Sequence, residues 1–269
     1  MQRDVWNDDR YFSESDLATL RDVYRNAAPF PHLVLKDVFS ESLLDLIVQE
    51  YGTGGPALWT SYNTELMRKR ITAPNSTLPA AAQLYFDVVS SPRFIRFLSS
   101  LTGIQNLLPD PSLFGGGMHE VSGSGLFEVH VDFQSQPETK LDNRLALITY
   151  LDRDGTDQDG GALELWYAEP ARRGAVIAPV FGTTLIMGQS ATAAHGHPRP
   201  VRPGRARRAL IAYYYTNGRQ DGGRSDSRAT VYVRHPSLRA LQRLQIILRG
   251  TLPRPILAAL KALYARFRT

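Results

Sequence analysis

The chain has 269 residues, of which 43% are hydrophobic and 21% charged, a composition that predicts a folded globular protein and excludes wholesale disorder. It contains no cysteine, which excludes disulfides, thiolate-bound metals and a cysteine nucleophile, so any metal must be held by histidine and carboxylate side chains. Residues 234–269 carry eight basic and no acidic side chains, which leaves −3 of the total charge of +5 for residues 1–233. The basic character therefore belongs to a C-terminal segment and does not by itself indicate a nucleic-acid-binding protein.

The first 110 residues are predicted to be mainly helical. The spacing of apolar residues predicts a helix at 14–27, a strand at 31–39, a helix from 40 to about 51, a polar and Gly-rich connection, and helices at about 79–89 and 92–102. Ser40 and Ser91 are suited to cap the helices that follow them, because a serine side chain accepts a free N–H of the first helical turn. Gly103 is suited to end the last of these helices.

From about residue 111 the pattern is that of short strands. Runs of β-forming residues are separated by Gly, Asp and Pro: FGGGMHEV, LFEVHVDF, RLALITYL, ALELWY, AVIAPV, TTLIMG, RALIAYYYT and ATVYVR. Strands this short and this closely spaced are typical of a sandwich, barrel or jelly roll and not of a parallel α/β sheet. We therefore predict an α+β protein with a mainly β core.

The chain divides into three parts within this scheme. Residues 1–110 are predicted to be a helical buttress of the same domain, 111–233 the β core and 234–269 a basic amphipathic helical tail. The tail has an apolar stripe formed by Ile256, Leu257, Leu260, Leu263, Tyr264 and Phe267. Such a helix docks on the core or on a second subunit, or lies on an anionic membrane surface, and docking is the expectation that we favour.

The N-terminus and the absence of long apolar runs bear on cellular location. The first ten residues are polar and acidic, unlike a signal peptide, and no run of about 18 apolar residues could span a bilayer. These features predict a cytoplasmic protein.

One sequence triplet has the spacing of metal ligands. His130 and Asp132 are two residues apart in FEVHVDF, and side chains two apart on a strand project to the same face and can converge on one ion. Two histidines and one carboxylate on one face of an octahedron form the arrangement used for non-haem Fe(II) and oxygen. A surface His–Asp pair produces the same triplet, so the hypothesis needs a third ligand. His195 and His197 are the candidates, and because they share strand parity their spacing does not choose between them.

An arginine cluster precedes the last strand of the predicted core. Arg205, Arg207 and Arg208 lead directly into the apolar run that begins at Ala209. An arginine here either lies in solvent at the rim or points inward, where it would need a carboxylate partner because an unpaired buried charge is costly. A small dicarboxylate co-substrate would supply that partner.

In the order of these motifs, the chain resembles the Fe(II)/2-oxoglutarate-dependent dioxygenases, and more closely their prolyl-4-hydroxylase-like branch. The matching text lies in family order over most of residues 29–217 and does not include the tail: PFPHLVLKDVF, LTGIQNLLPDPSLFGGGMHEV, FEVHVDF, RLALITYLD, GGALELW, HGHPRPV and RRALIAYYYT. The resemblance implies a double-stranded β-helix, or jelly roll. It also implies that His130, Asp132 and His195 hold the iron, since the family's distal histidine precedes the glycine of a His-Gly-x-Pro sequence.

Further residues are assigned by the resemblance alone. It implies that Arg208, at the head of the last core strand, pairs with the far carboxylate of 2-oxoglutarate, and that Tyr150 hydrogen-bonds the same carboxylate. It implies that His119 or Glu120 lies near the co-substrate or the substrate.

The charge of four other arginines bears on the substrate. Arg144, together with Arg202, Arg205 and Arg207, would suit an anionic substrate, although solvated arginines at the rim are the commoner arrangement.

The reaction that the resemblance implies uses Fe(II), 2-oxoglutarate and O2, releases succinate and CO2, and hydroxylates an unactivated C–H bond. The presence of Asp132 favours hydroxylation over halogenation, whereas ring closure, desaturation and epimerisation remain alternatives. A protein or peptide substrate of the prolyl type is the first hypothesis, and tailoring of a small natural product is the second. A non-catalytic jelly-roll binding module is the hypothesis of another class, against which the intact triad and Arg208 argue.

The sequence constrains other partners less closely, namely nucleic acid, a second subunit, a membrane and metals other than iron. No helix-turn-helix, zinc finger or stacking platform indicates a specific nucleic-acid partner. A homodimer and a peripheral membrane contact through residues 234–269 both stay open, and Mn, Co or Ni could occupy the same ligands as iron.

Overall fold

The computed structural model describes residues 5–7, 13–153, 157–219, 229–235, 238 and 240–251. These residues contain five helices: α1 (Glu14–Asn26), α2 (Glu41–Glu50), α3 (Ala80–Val89), α4 (Pro92–Thr102) and α5 (Ala240–Thr251). The four helices predicted in the first 110 residues are confirmed to within a residue or two. The side chains of Ser40 and Ser91 accept the N–H groups of Leu43 and Phe94, and Gly103 ends α4 in the left-handed conformation at φ +78°.

The strands form two sheets. They are β1 (His32–Lys36), β2 (Trp59–Asn63), β3 (Arg68–Thr72), β4 (Leu108–Pro109), β5 (Gly117–Ser122), β6 (Phe127–Val131), β7 (Asp142–Tyr150), β8 (Leu163–Tyr167), β9 (Arg172–Ile177), β10 (Thr183–Gly188), β11 (Ala194–His197), β12 (Ala206–Thr216) and β13 (Val231–Tyr232). The larger sheet has the order β1-β10-β7-β12-β5-β3-β2, with β4 beside β12, and the smaller sheet has the order β13-β6-β11-β8-β9. All of these pairings are antiparallel, so the predicted mainly β core is confirmed as a jelly roll.

Alternation along β12 separates the two cores. Leu210, Ala212 and Tyr214 pack in the cluster that contains the N-terminal helices, whereas Ile211 and Tyr213 pack in the cluster between the sheets. The helices therefore cover the outer face of the larger sheet, and its inner face forms one wall of the jelly roll. Because successive residues of a strand point to opposite faces, a residue's place in this alternation decides whether it reaches the interior.

The polar connection expected between α2 and α3 contains a hairpin instead. Strands β2 and β3 pair with each other, and β3 adds to the edge of the larger sheet through Arg70 and Ile71, which lie opposite Glu120 and His119 of β5. The sequence of β3, RKRIT, has three charged residues and so lacks the apolar alternation by which strands are recognised. The strand is stabilised by its sheet neighbour β5, which supplies Glu120 as the partner of Arg70.

The C-terminal segment packs on the outside of the smaller sheet as far as it is described. Strand β13 pairs with β6, and Leu238 and Ile246 form a small apolar cluster with Leu66. The apolar stripe predicted between residues 256 and 267 lies outside the described residues. Among the residues that are described, no helix is long and apolar enough to cross a membrane.

Candidate active site

Three side chains converge in the interior of the jelly roll. His130 lies on β6, Asp132 follows that strand directly, and the antiparallel register of β11 places His195 opposite His130. The Nε2 of His130 lies 3.3 Å from Oδ1 of Asp132, and the Nε2 of His195 lies 3.5 Å from Oδ2. All three side chains are buried, and their ligand atoms lie within 4.8 Å of one another.

Backbone carbonyls determine which nitrogen each histidine offers. The Nδ1 of His130 lies 2.7 Å from the carbonyl oxygen of Glu128, and the Nδ1 of His195 lies 3.0 Å from that of Ala193. A carbonyl oxygen only accepts, so each Nδ1 carries the proton and each Nε2 presents a lone pair. The Nε2 of His130 is buried without a hydrogen-bond partner among the described residues. Two such nitrogens and a carboxylate fit a divalent iron ion.

The charges at the site suit metal binding near neutral pH. Burial would raise the pKa of Asp132, but His195, His130 and Tyr213 together hold it well below its usual range. Burial lowers the pKa of His195 to about 4, although the Asp132 carboxylate opposes this shift. Asp132 is therefore ionised and His195 neutral at pH 7, so neither loses a proton when a metal binds.

Two features hold the ligand geometry. The hydroxyl of Tyr213 on β12 donates to Oδ2 of Asp132 at 3.0 Å, inside the protein. Gly196, between His195 and His197, lies so close to β6 that an added Cβ would meet the carbonyl oxygens of Phe127 and Glu128 at 2.8 Å. The glycine therefore lets β11 approach β6 closely enough for the two histidines to face each other.

Of the two neighbouring arginines at the head of β12, the structure turns Arg207 inward and Arg208 outward, which corrects the expectation for Arg208. Arg207 is buried and lines the triad cavity, donating from Nε to the carbonyl of Gly161 at 2.8 Å and from Nη2 to the Tyr150 hydroxyl at 3.3 Å. Arg208 lies on the opposite face, where its Nε donates to Glu120 at 2.8 Å. The physical reason is strand alternation, since adjacent residues of one strand cannot share a face.

Arg207 has no carboxylate within ion-pair distance among the described residues. Gly161, in the left-handed conformation at φ +72°, leaves room for the arginine, because a Cβ there would meet its Cδ at 3.0 Å. Tyr150 is fully buried, and the Arg207 guanidinium lies 5.0 Å from the centre of its ring. A buried cation with donors to spare is the arrangement that an anionic ligand would complete.

The other predicted site residues fall on different sides of the sheet. His119 is buried and lines the triad cavity, and its Nε2 lies 3.2 Å from the carbonyl of Gly116. Glu120 faces outward and pairs with Arg70 as well as with Arg208. Arg144 does not line the cavity, and it donates to the hydroxyl of Thr216.

His197 lies in the cavity without joining the triad. It is opposite Phe127 in the register, and its buried Nδ1 has no hydrogen-bond partner among the described residues. Burial and the charge of Arg207 hold its pKa well below the usual value, so the imidazole is neutral.

Lys69 is a cavity residue that the sequence pattern did not indicate. It lines the cavity from β3, with its Nζ 4.1 Å from the centre of the Phe127 ring, and that ring stacks on His130 at 3.7 Å. Burial lowers the pKa of Lys69 to about 8, with Asp132 opposing the shift and Arg207 adding to it. The only sequence signal for this residue is the alternation of the charged strand β3, which places Lys69 on the face opposite to Arg70.

The fold is a jelly roll, and its interior contains two histidines and one carboxylate that could hold a metal ion. Residues 116–216 match the family model of the 2OG-Fe(II) oxygenase superfamily, a segment that runs from β5 to β12 and includes the triad, Tyr150 and Arg207. This segment is therefore similar to the oxygenase core of that superfamily. The family implies Fe(II), 2-oxoglutarate and O2, and the triad fits the iron.

Solved structures share the fold at low sequence identity. A prolyl-4-hydroxylase from Pseudomonas putida is 14% identical with a TM-score of 0.53, over 75% of this chain and 100% of that one. An oxidoreductase of the 2OG-Fe(II) oxygenase family from Burkholderia pseudomallei is 14% identical with a TM-score of 0.55, over 80% and 96% of the two chains. The 2-oxoglutarate-dependent epimerase SnoN from nogalamycin biosynthesis is 13% identical with a TM-score of 0.55, over 83% and 97%. No curated protein matched the chain.

Proposed function

We propose that this protein is an Fe(II)- and 2-oxoglutarate-dependent dioxygenase that hydroxylates an unactivated C–H bond and releases succinate and CO2. The observation that carries the proposal is the presence, in one cavity, of a buried metal triad and a buried arginine that has no carboxylate partner among the described residues. The triad accounts for a metal and the arginine for a dicarboxylate. A binding module without chemistry would need neither.

His130, Asp132 and His195 would hold the metal. When bound, Fe(II) with 2-oxoglutarate and O2 supplies the oxidation: one oxygen atom enters succinate and the other enters the substrate C–H bond, with loss of CO2. The chain keeps the ligands in their binding state, because backbone carbonyls hold the Nδ1 protons and Tyr213 donates to the carboxylate.

Arg207 and Tyr150 would bind the far carboxylate of 2-oxoglutarate. Arg207 already donates to the Tyr150 hydroxyl, so that the phenolic proton is free to donate to the carboxylate. Apolar side chains of the cavity, among them Ile148, Leu163 and Ile211, would enclose the methylene groups and exclude water. This placement would leave the 2-oxo acid end of the co-substrate on the side of the cavity where His130, Asp132 and His195 would hold the metal.

The substrate class to test first is a peptidyl proline. The support is that a bacterial prolyl-4-hydroxylase shares this fold over its whole length. A small natural product is the second candidate, because an epimerase from nogalamycin biosynthesis shares the fold to the same degree. Both classes would use the same metal and co-substrate residues.

The proposal is tested by adding Fe(II) and then 2-oxoglutarate to the purified protein without oxygen. We expect a weak visible metal-to-ligand band and, after oxygen is admitted, slow formation of succinate. His130→Ala should abolish both signals, and His32→Ala, a change on β1 away from the cavity, should retain them. A wild-type protein that gives neither signal contradicts the proposal.

A further inference from the structure

Lys69 is a cation on the inner face of β3. Its neighbour Arg70 points outward and pairs with Glu120 at 2.8 Å, so alternation directs Lys69 to the interior, where it lines the triad cavity. The β2–β3 hairpin lies outside the segment that matches the family model. Lys69 therefore lies outside the segment that the family model covers.

The ammonium group has no anionic partner among the described residues. The contact of its Nζ is the face of the Phe127 ring, and Asp132 attracts it without forming an ion pair. Two nearby arginines do form hydrogen bonds: Arg70, on the outer face, donates to Glu120, and Arg207, in the cavity, donates to Gly161 and Tyr150. Lys69 makes no hydrogen bond among the described residues, so all of its donors remain unused.

The charges of the loaded site leave Lys69 without compensation. The two carboxylates of 2-oxoglutarate balance the charge of Fe(II), and Asp132 balances Arg207. His119, which also lines the cavity, adds no charge, because burial and the charge of Lys69 hold its pKa well below the usual range. An unbalanced ammonium in a partly dry cavity attracts a further anion.

The position of Lys69 indicates that this anion is not the co-substrate. Arg207 is buried at the Tyr150 and Gly161 side of the cavity, where the far carboxylate of 2-oxoglutarate would lie. Lys69 is only partly buried and sits on Phe127, which stacks directly on the ligand His130. A molecule that enters beside the metal would meet Lys69 first.

We propose that Lys69 binds a carboxylate of the prime substrate, so that the substrate class is a carboxylic acid. The carboxylate belongs either to a small molecule or to an acidic side chain next to the oxidised residue of a peptide. The inference rests on the proposed function, since it assigns one residue of that same site.

The test uses the anaerobic complex of the full chain with Fe(II) and saturating 2-oxoglutarate. Two matched pairs of probes are titrated. The first pair is N-acetyl-L-proline and N-acetyl-L-prolinamide. The second pair is N-acetyl-prolyl-glutamate and N-acetyl-prolyl-glutamine, each with its C-terminus amidated. The Kd of each probe is read from the change in the visible band. In the wild type we expect the acid of at least one pair to bind about tenfold or more tightly than its neutral partner.

Lys69→Met should abolish this preference and Lys69→Arg should preserve it, with the Kd of 2-oxoglutarate within about twofold of the wild type in both. Lys36→Met, a change at an exposed position of β1, is the matched control. Preference in the first pair identifies a small acid, and preference in the second an acidic peptide; either supports the proposal.

Two results would overturn it while the visible band stays intact. One is a wild type that prefers neither acid; the other is a Lys69→Met variant that loses 2-oxoglutarate affinity as strongly as it loses the acid probe. Loss of the band itself in the wild type would instead overturn the proposed function, and this inference with it.

Discussion

Two buried histidine–carboxylate pairs lie on opposite faces of the smaller sheet at β6. They are separated because the register between β6 and β11 shifts between His195 and His197, which interrupts the alternation of β6 between Phe127 and His130. On the inner face His130 and Asp132 lie 3.3 Å apart, and on the outer face Glu128 and His235 lie 3.3 Å apart. By distance and burial the two pairs are alike. The outer pair even borders the larger cavity, of about 850 Å³.

The two pairs differ in whether their lone pairs accept hydrogen bonds from neighbouring side chains. Glu128 also accepts from the side chain of Gln242 at 2.6 Å, so both of its oxygens are used by neighbours. On the inner face the Nε2 of His130 is left without a hydrogen bond, and His195 brings a third ligand. A metal site is therefore distinguished by converging, unsatisfied lone pairs and not by the proximity of a histidine and a carboxylate or by the size of the cavity.

The largest effect is expected when the carboxylate of the inner pair is removed, and a change in the carboxylate of the outer pair is the comparison. Asp132→Ala should abolish the visible band and lower 2-oxoglutarate turnover by roughly a thousandfold, because the iron loses its one protein carboxylate. Glu128→Gln should keep band and turnover within about twofold while lowering the free energy of unfolding by about 1–3 kcal/mol. Iron titration, succinate assay and urea unfolding measure these outcomes. Iron loss in Glu128→Gln together with iron retention in Asp132→Ala would reverse the comparison.

The next effect concerns the two arginines at the head of β12. Arg207→Gln should raise the KM for 2-oxoglutarate by about 30- to 100-fold, because it removes a charge-assisted bond to the far carboxylate. Arg208→Gln, the matched control on the outer face, should change it by less than about twofold, since Arg208 pairs with Glu120. A larger effect for Arg208 than for Arg207 would show that the carboxylate is bound elsewhere.

A smaller effect is expected from the carboxylate's hydrogen bond. Tyr213→Phe should weaken Fe(II) binding by about tenfold and shift the visible band, because Oδ2 of Asp132 loses its donor. Tyr215→Phe is the control, because Tyr215 lies on the same strand but its hydroxyl donates to Asp110 at 3.5 Å and not to Asp132. Equal iron affinities in the two variants would mean that Tyr213 does not position the ligand.

The smallest effect is expected from Asp152, a partly buried carboxylate outside both pairs. Its titration makes the stability of the protein depend on pH. Burial raises the pKa of Asp152 to about 7, although the backbone N–H of Arg208 and the nearby arginines oppose the shift. An unfolded aspartate titrates near 3.9, so between about pH 4 and 7 the folded state binds the extra proton and stability falls as pH rises.

Asp152→Asn removes this titration. From pH 5 to pH 8 the variant should therefore gain about 1 kcal/mol relative to the wild type, after allowance for partial exposure. Unfolding curves at the two pH values measure the gain. A difference that is constant with pH would contradict the raised pKa.

Much of the fold followed from local patterns. The caps at Ser40 and Ser91, the four N-terminal helices and the change to strand periodicity after residue 111 all depend on neighbours in the chain. The hairpin β2–β3 was missed for the opposite reason: its charged residues make a strand only because β5 supplies Glu120 across the sheet. The cavity residue Lys69 was missed with it.

The sequence by itself determined that His130 and Asp132 share a face, since two residues on one strand obey a local period of two. Only the tertiary structure decided the rest of the site. The register of β11 on β6 brings His195 and not His197 to the triad, and the alternation of β12 turns Arg207 inward and Arg208 outward. Strand register, and with it the face on which each side chain lies, is set by the packing of segments distant in sequence. A one-residue shift in register therefore reverses which side chain reaches the cavity.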